Sequence, residues 1–103
     1  VMNYDLHSRS PDFVDFQTRY RERFGYEPAF AAAQSYEAMM FLAAALEKTG
    51  GQAEGLPQAL LETRDFEGLT GPVVLNEYGD AIRTLFLITV RDGQFVTLKP
   101  VEP

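Results

Sequence analysis

Pro28 to Gly50 reads PAFAAAQSYEAMMFLAAALEKTG, and no other stretch constrains the fold so tightly. Ala, Leu, Met, Gln and Glu dominate it, all strong helix formers, and neither Gly nor Pro interrupts its interior. The stretch predicts one long helix. Pro28 suits a first helical turn, where its missing N–H would go unpaired. Lys48 suits the negative pole of the helix dipole, and Gly50 offers a left-handed cap. Apolar residues nearly encircle the axis, from Phe30 and Ala31 through Tyr36, Met39, Met40, Phe41 and Leu42 to Leu46. A helix that apolar is expected to be covered on most sides. Its polar residues Gln34, Ser35 and Glu37 gather in the first two turns, where something polar is expected to meet them.

Upstream, Val1 to Leu6 is expected as a short strand leading into the loop HSRSP. Ser10 as N-cap, Pro11 at the first helical position and Asp12 in the first turn mark a second helix start. Phe13, Phe16, Tyr20 and Phe24 then recur at helical spacing, and Gly25 ends the helix. One aromatic stripe on an amphipathic helix is what core packing requires, so it is read as core and not as a ligand box. Tyr36 is expected to pack against this helix.

Downstream, Gly50 to Gly55 forms a flexible turn, and a third helix is predicted from about Leu56 to Thr63. From Phe66 the pattern changes. Phe66 to Pro72 is loop or extended chain, Val73 to Leu75 a short strand, and Asn76 to Asp80 turn chemistry. Ile82 to Val90, IRTLFLITV, reads as a well-buried strand. Asp92 and Gly93 make a tight hairpin turn, and Phe95 to Lys99 returns as the partner strand, with Pro100 to Pro103 as a tail. The local order is α+β: three helices, then a short strand and a β-hairpin.

The totals bound the class. A chain of 103 residues is one domain at most, and 46% hydrophobic with 23% charged residues is globular rather than disordered. A net charge of −6 argues against a nucleic-acid or anionic-membrane partner. There is no cysteine, which removes disulfides and thiolate metal sites but fixes no compartment. No run reaches the ~18 apolar residues of a membrane span. No basic region precedes an apolar run, so no signal peptide is expected in these residues. The chain opens on Val1 and not on Met, and is expected to be a mature or excised piece.

Catalytic signals are sparse. His7 is the only histidine, set in a polar loop without the spacing of a zinc site. Ser8, Ser10 and Ser35 stand in no recognisable nucleophile setting. Asn76, Glu77 and Asp80 lack the ligand ladder and closing Glu of a calcium loop, and read as a plain turn. No Gly-rich phosphate loop occurs. We therefore expect no enzyme, no metal and no cofactor.

Three blocks taken in order resemble one family, the periplasmic solute-binding proteins of ABC importers for branched-chain amino acids and related small molecules. Phe13 to Pro28, ending Arg23-Phe24-Gly25-Tyr26-Glu27-Pro28, is similar to the family's "F…Y…FG..P" segment. Ala31 to Ala38 with Leu42 to Gly50 is similar to its "AA..YDA…LA.AL..AG" helix, with Glu37 where Asp is commoner. Phe66-Glu67-Gly68-Leu69-Thr70-Gly71-Pro72-Val73, then Asn76 to Asp80, resembles its "FxGxTGPv…FdxxGD" signature, with Leu75-Asn76 in place of Phe-Asp. The resemblance spans nearly the whole chain but only the C-terminal third of such a protein.

That resemblance implies an α/β fold, the C-terminal fragment of a two-lobed type I periplasmic binding protein whose ligand is clamped between lobes. It implies that the chain crosses near Tyr4 to His7 into the first lobe and that residues 7–85 belong there. It crosses back near Leu85 to Leu87, and residues 86–99 return to the second lobe. The implied partners are a small, amino-acid-like ligand and a membrane ABC permease, and the implied location is periplasmic or extracytoplasmic. A ligand-sensing domain of a signalling receptor with the same fold is the alternative.

The resemblance carries one site onto these residues. An aromatic near the start of the long helix contacts the ligand, and Phe30 matches it, with a one-residue ambiguity to Ala31. Gln34 lies one turn on, on the same face. The other reading of Phe30 is a plug of the lobe core, and both stay open at this point. An isolated fragment is expected to expose Tyr36, Met39, Phe41 and Leu87, and so to dimerise or swap strands.

Overall fold

A computed structural model describes residues 1–101. Helix α1 runs Pro11–Phe24, with Pro11 in its first turn and Ser10 at the N-cap position. The Ser10 side chain makes no capping hydrogen bond; its carbonyl accepts Val14 N–H at 3.0 Å. Gly25, at φ 78°, ends the helix and returns its N–H to the Arg21 carbonyl, a conformation that favours glycine. Phe13 and Phe16 are buried, Tyr20 is half-buried, and Phe24 stands in solvent, so the aromatic stripe is core only along its first half.

Helix α2, Phe30–Lys48, begins two residues later than expected. Ala29 takes the N-cap position in extended conformation, leaving Pro28 buried just outside the helix. The helix buries one narrow stripe: Ala33, Glu37, Phe41 and Ala45. Tyr36, Met39 and Met40 are exposed, against the expectation of cover on most sides. Too few elements surround these 19 residues to enclose them. α3, Leu56–Glu62, folds back along α2, and Lys48 Nζ donates to Thr63 Oγ1 at 3.1 Å. Phe41 meets Phe66 edge-on at 5.1 Å and is buried, which corrects its expected exposure; Leu87 is half-buried.

Among the described residues the strands form three separate antiparallel pairs. β1 (Glu67–Gly68) pairs with β2 (Gly71–Pro72), and β3 (Val74–Leu75) pairs with β4 (Ala81–Ile82) across the Asn76 turn. Asn76 Oδ1 closes that turn by accepting the N–H groups of Tyr78 and Asp80, each at 2.9 Å. The apolar run IRTLFLITV is not one strand. It breaks at Arg83 and Thr84, because the Arg83 side chain turns into a buried ion pair, and ladder pairing resumes at β5 (Leu85–Arg91). β5 pairs with β6 (Gln94–Val101), with a bulge at Leu87/Ile88. Asp92 (φ 50°) and Gly93 (φ 75°) both adopt the left-handed conformation of a two-residue hairpin turn. β6 carries Pro100 and Val101 in the ladder, so the expected tail is strand there; the rest of it, residues 102–103, lies outside the described residues.

The main core joins the N-terminal segment to the helices. Tyr4, Phe13, Phe16, Ala33 and Leu69 cluster, with Leu6, Tyr20 and Ala32 packed against them. Tyr4 stands edge-on to Phe13 at 5.5 Å, and Phe16 meets Tyr36 at 5.1 Å, the contact expected between α1 and α2. The radius of gyration is 15.2 Å and the extents are 50 × 33 × 19 Å. A compact unit of this length would have a radius near ~13 Å, so the fold is elongated. The residues form an α/β arrangement of three helices followed by small antiparallel pairs.

Candidate functional site

Two chain passages run side by side at one edge of the helices. Met2 and Phe86 form an antiparallel bridge: Met2 N–H donates to the Phe86 carbonyl at 2.8 Å, and Phe86 N–H to the Met2 carbonyl at 2.6 Å. The first passage enters the helical region and the second leaves it for the β5–β6 hairpin. Two side-chain links bind the first passage to that hairpin. The Thr97 hydroxyl donates to Asp5 Oδ1 at 2.8 Å, and His7 Nε2 lies 3.3 Å from the Phe95 carbonyl. The sole histidine is thus an exposed link between segments, with no ligand-bearing neighbours. Among the described residues no group of His, Asp and Glu side chains could hold a metal ion.

Where the passages meet the start of α2, the surface sinks into an open recess of about 420 Å³ lined by Val1, Met2, Asn3, Phe30, Gln34 and Leu85. That volume lies in the ordinary range for small-molecule sites. Phe30 and Gln34 therefore share one cavity wall. Ala31, one residue on, is exposed and outside that lining. Phe30 is half-exposed among the described residues.

The recess has an apolar wall and a polar corner. Phe30, Met2 and Leu85 supply the wall. Gln34 Nε2 donates to Asn3 Oδ1 at 2.5 Å, so the helix grips the first passage by an amide pair. That bond uses one donor and one acceptor. Gln34 Oε1 and Asn3 Nδ2 keep their capacity, one acceptor and one donor for a bound polar group. The first intrahelical bonds of α2 are made by Ala32 and Ala33 to the Ala29 carbonyl, at 3.1 and 3.3 Å. The N–H groups of Phe30 and Ala31 precede them and carry the positive end of the helix dipole.

Next in sequence to Asn3, Tyr4 is buried in the main core with its hydroxyl unpartnered. Burial, and then the charges of Glu27, Asp5 and Glu37, push this phenol up to about 12. It stays neutral and is a packing residue.

One charged centre was not anticipated from the sequence. Glu37, one turn beyond Gln34, is buried and accepts Leu69 N–H on Oε2 at 2.8 Å. Arg83 Nη2 donates to both its oxygens, at 3.1 and 3.2 Å, and to Thr70 Oγ1 at 3.3 Å. The signal was present: Glu37 stands among apolar residues within the helix, far from its charged end, and Arg83 is the one cation in the run IRTLFLITV. A buried charge persists only when paired, so two such lone charges point at each other. Asn3 and Leu85 carried no comparable signal, because a polar or apolar residue in a short loose segment does not mark which cavity it will line.

The residues from 5 to 92 match the family model described as the receptor family ligand binding region. A leucine-binding protein, LivK, from Thermotoga maritima is similar in structure, with a TM-score of 0.83 at 30% identity over 99% of this chain and 30% of that one. An ABC transporter substrate-binding protein from Desulfitobacterium hafniense, solved in complex with Leu, gives 0.83 at 31% identity over 92% and 29%. A solute-binding protein of an ABC transporter from R. palustris, in complex with benzoate, gives 0.77 at 21% identity over 100% and 28%, a likeness of fold. The chain spans about three-tenths of the length of these structures. No helix among the described residues is long and apolar enough to cross a membrane.

Proposed function

The chain belongs to the receptor-family ligand-binding region, and from that premise we propose that it is the closing third of an extracytoplasmic solute-binding protein serving ABC-type import. The whole protein captures a small molecule, such as a branched-chain amino acid or a related amide or aromatic compound, and delivers it to a membrane permease. It is a binding protein and no enzyme. Its working place is the periplasm or the outer cell surface. The transporter proteins among its structural relatives favour import over the sensing alternative.

The observation that carries this reading is the recess at the paired passages, where Phe30 and Gln34 stand against Asn3 and Leu85. A two-lobed receptor binds where its crossing segments lie, because closure about them encloses the ligand. On this reading Phe30 offers apolar contact, Gln34 a polar anchor, and the Ala31 N–H the helix-end charge. The passages at Met2 and Phe86 are two of the crossings. Residues 7–85 belong to one lobe, and the hairpin from 86 onward belongs to the other.

A thermal-shift screen of the full-length protein against L-leucine, small amides and benzoate tests the proposal. A ligand at about 100 times its Kd stabilises by roughly 2.7 kcal/mol, which raises Tm by a few degrees. Flat midpoints across all three classes contradict it. The 103-residue chain alone exposes Tyr36 and Met39, and we propose that it self-associates through this face. Sedimentation is expected to give a concentration-dependent dimer, and monomer at every concentration contradicts that.

A further inference from the structure

We infer that the Glu37–Arg83 pair is a positioning device that fixes the second passage, and with it the Leu85 wall of the recess, to helix α2. The inference rests on the solute-binding reading of that recess. β3 and β4, which deliver the chain to Arg83, pair over only two residues each. Such a ladder is too short to hold its own position in water. Beyond Arg83, ladder pairing resumes only at Leu85 and Phe86, against Val101 and Pro100 of the hairpin's own second strand and against Met2 of a loose segment, none of which ties the passage to the helices. Between them, Arg83 is clamped by both oxygens of Glu37 and by Thr70 Oγ1. Both partners are nearly buried, with 11% of the Arg83 and 8% of the Glu37 side chain exposed. Solvent and salt therefore screen the pair little.

The same helix face acts on both passages. Gln34 holds Asn3, and one turn later Glu37 holds Arg83. Leu85 follows Arg83 by two residues, so the pair ends where the recess begins. The loop Phe66 to Val73 completes the clamp. Leu69 N–H saturates Glu37 Oε2, and Gly68 gives the carboxylate room, since a Cβ there would collide with it. The Glu of the long helix, the glycine loop and the cation of the apolar run thus serve one centre. Closure of the lobes then begins beyond Leu85, while Arg83 and the Leu85 wall stay with the helix.

The test uses the full-length protein, with whichever of L-leucine, a small amide or benzoate raises its Tm. Glu37→Gln and Arg83→Met are each expected to weaken binding on the order of tenfold or more, at a temperature where circular dichroism shows them folded. Amide exchange at Met2 and Phe86 rises by a similar factor, while Thr63 in the α3 cap is unchanged. The double variant, free of unpaired charge, recovers most of the Tm but neither the affinity nor the protection of Met2 and Phe86. Unchanged exchange at Met2 and Phe86, exchange accelerated evenly throughout, or binding that recovers along with Tm would each overturn the inference by reducing the pair to general stability. If the unsubstituted protein binds none of the probes, the solute-binding reading fails on its own, and the exchange results still decide whether the pair fixes the passage.

Discussion

The helical region and the β5–β6 hairpin differ in what holds them together. In the helical region Tyr4, Phe13 and Ala33 are almost wholly removed from solvent, and one aromatic core joins α1, α2 and the N-terminal segment. In the hairpin only Phe86 is buried, while Val90, Phe95 and Leu98 face solvent. The hairpin persists by its own ladder and by its links to Met2, Asp5 and His7. An antiparallel pair with uncovered apolar residues on its surface is marginal in water by itself. Our account of the difference is that the hairpin serves a second lobe, whose remaining elements cover it, whereas the helices largely complete their own layer around α1.

The largest test of that contrast substitutes one buried and one exposed aromatic. Phe13→Ala is expected to cost about 4 kcal/mol by chemical denaturation, since its side chain is fully enclosed. Phe95→Ala in the 103-residue chain costs less than about 1 kcal/mol. In the full-length protein the same change rises to about 3 kcal/mol if a second lobe covers that face. Equal small costs in both settings would break the account of the hairpin.

Gly68→Ala comes next and probes the helical region where it is tightest. The added Cβ would stand 2.8 Å from the Gly71 carbonyl oxygen and 3.1 Å from Val73 Cγ2, and nearer still to Glu37. We expect a loss of about 3 kcal/mol, read from the denaturation midpoint at unchanged slope.

The smallest effect is confined to high pH. The Tyr4 phenol sits at about 12 in the folded state against an unfolded value near ~10. A group whose folded pKa is raised contributes fully below the unfolded pKa and loses that contribution as pH climbs through the folded one. Stability therefore falls between about pH 10 and 12, and Tyr4→Phe removes this part of the fall. At neutral pH Tyr4→Phe is expected to be neutral or slightly stabilising, because it deletes an unpartnered buried hydroxyl. Identical stability profiles at high pH for the two proteins would refute the assignment.

Much of this architecture is legible in the residues. Ser10-Pro11 and Gly25 bound α1, the uninterrupted Ala-rich run encodes α2, and Asp92-Gly93 encodes the hairpin turn. These are local signals, carried by backbone preference over a few positions. The resemblance to solute-binding proteins rested on three such blocks together, and the fold agrees with it. Less legible was everything set by distant partners. The cover of α2 depends on which elements reach it, so composition around its axis overstated burial. The break at Arg83 and Thr84 depends on an acid 46 residues away in sequence. Phe30 was named by the resemblance and Gln34 by its place one turn on, whereas Asn3 and Leu85 line the same recess only through tertiary placement of the two passages.

The central claim is that α2 and the hairpin ride on different lobes whose closure about the paired passages traps a ligand. Its most direct measurement is the distance between spin labels at Glu47, near the end of α2, and Gln94, at the hairpin turn, in the full-length protein with and without a ligand that raises Tm. Our account predicts two distance distributions, with the bound one displaced and narrower. A single distribution unchanged by saturating ligand would contradict it.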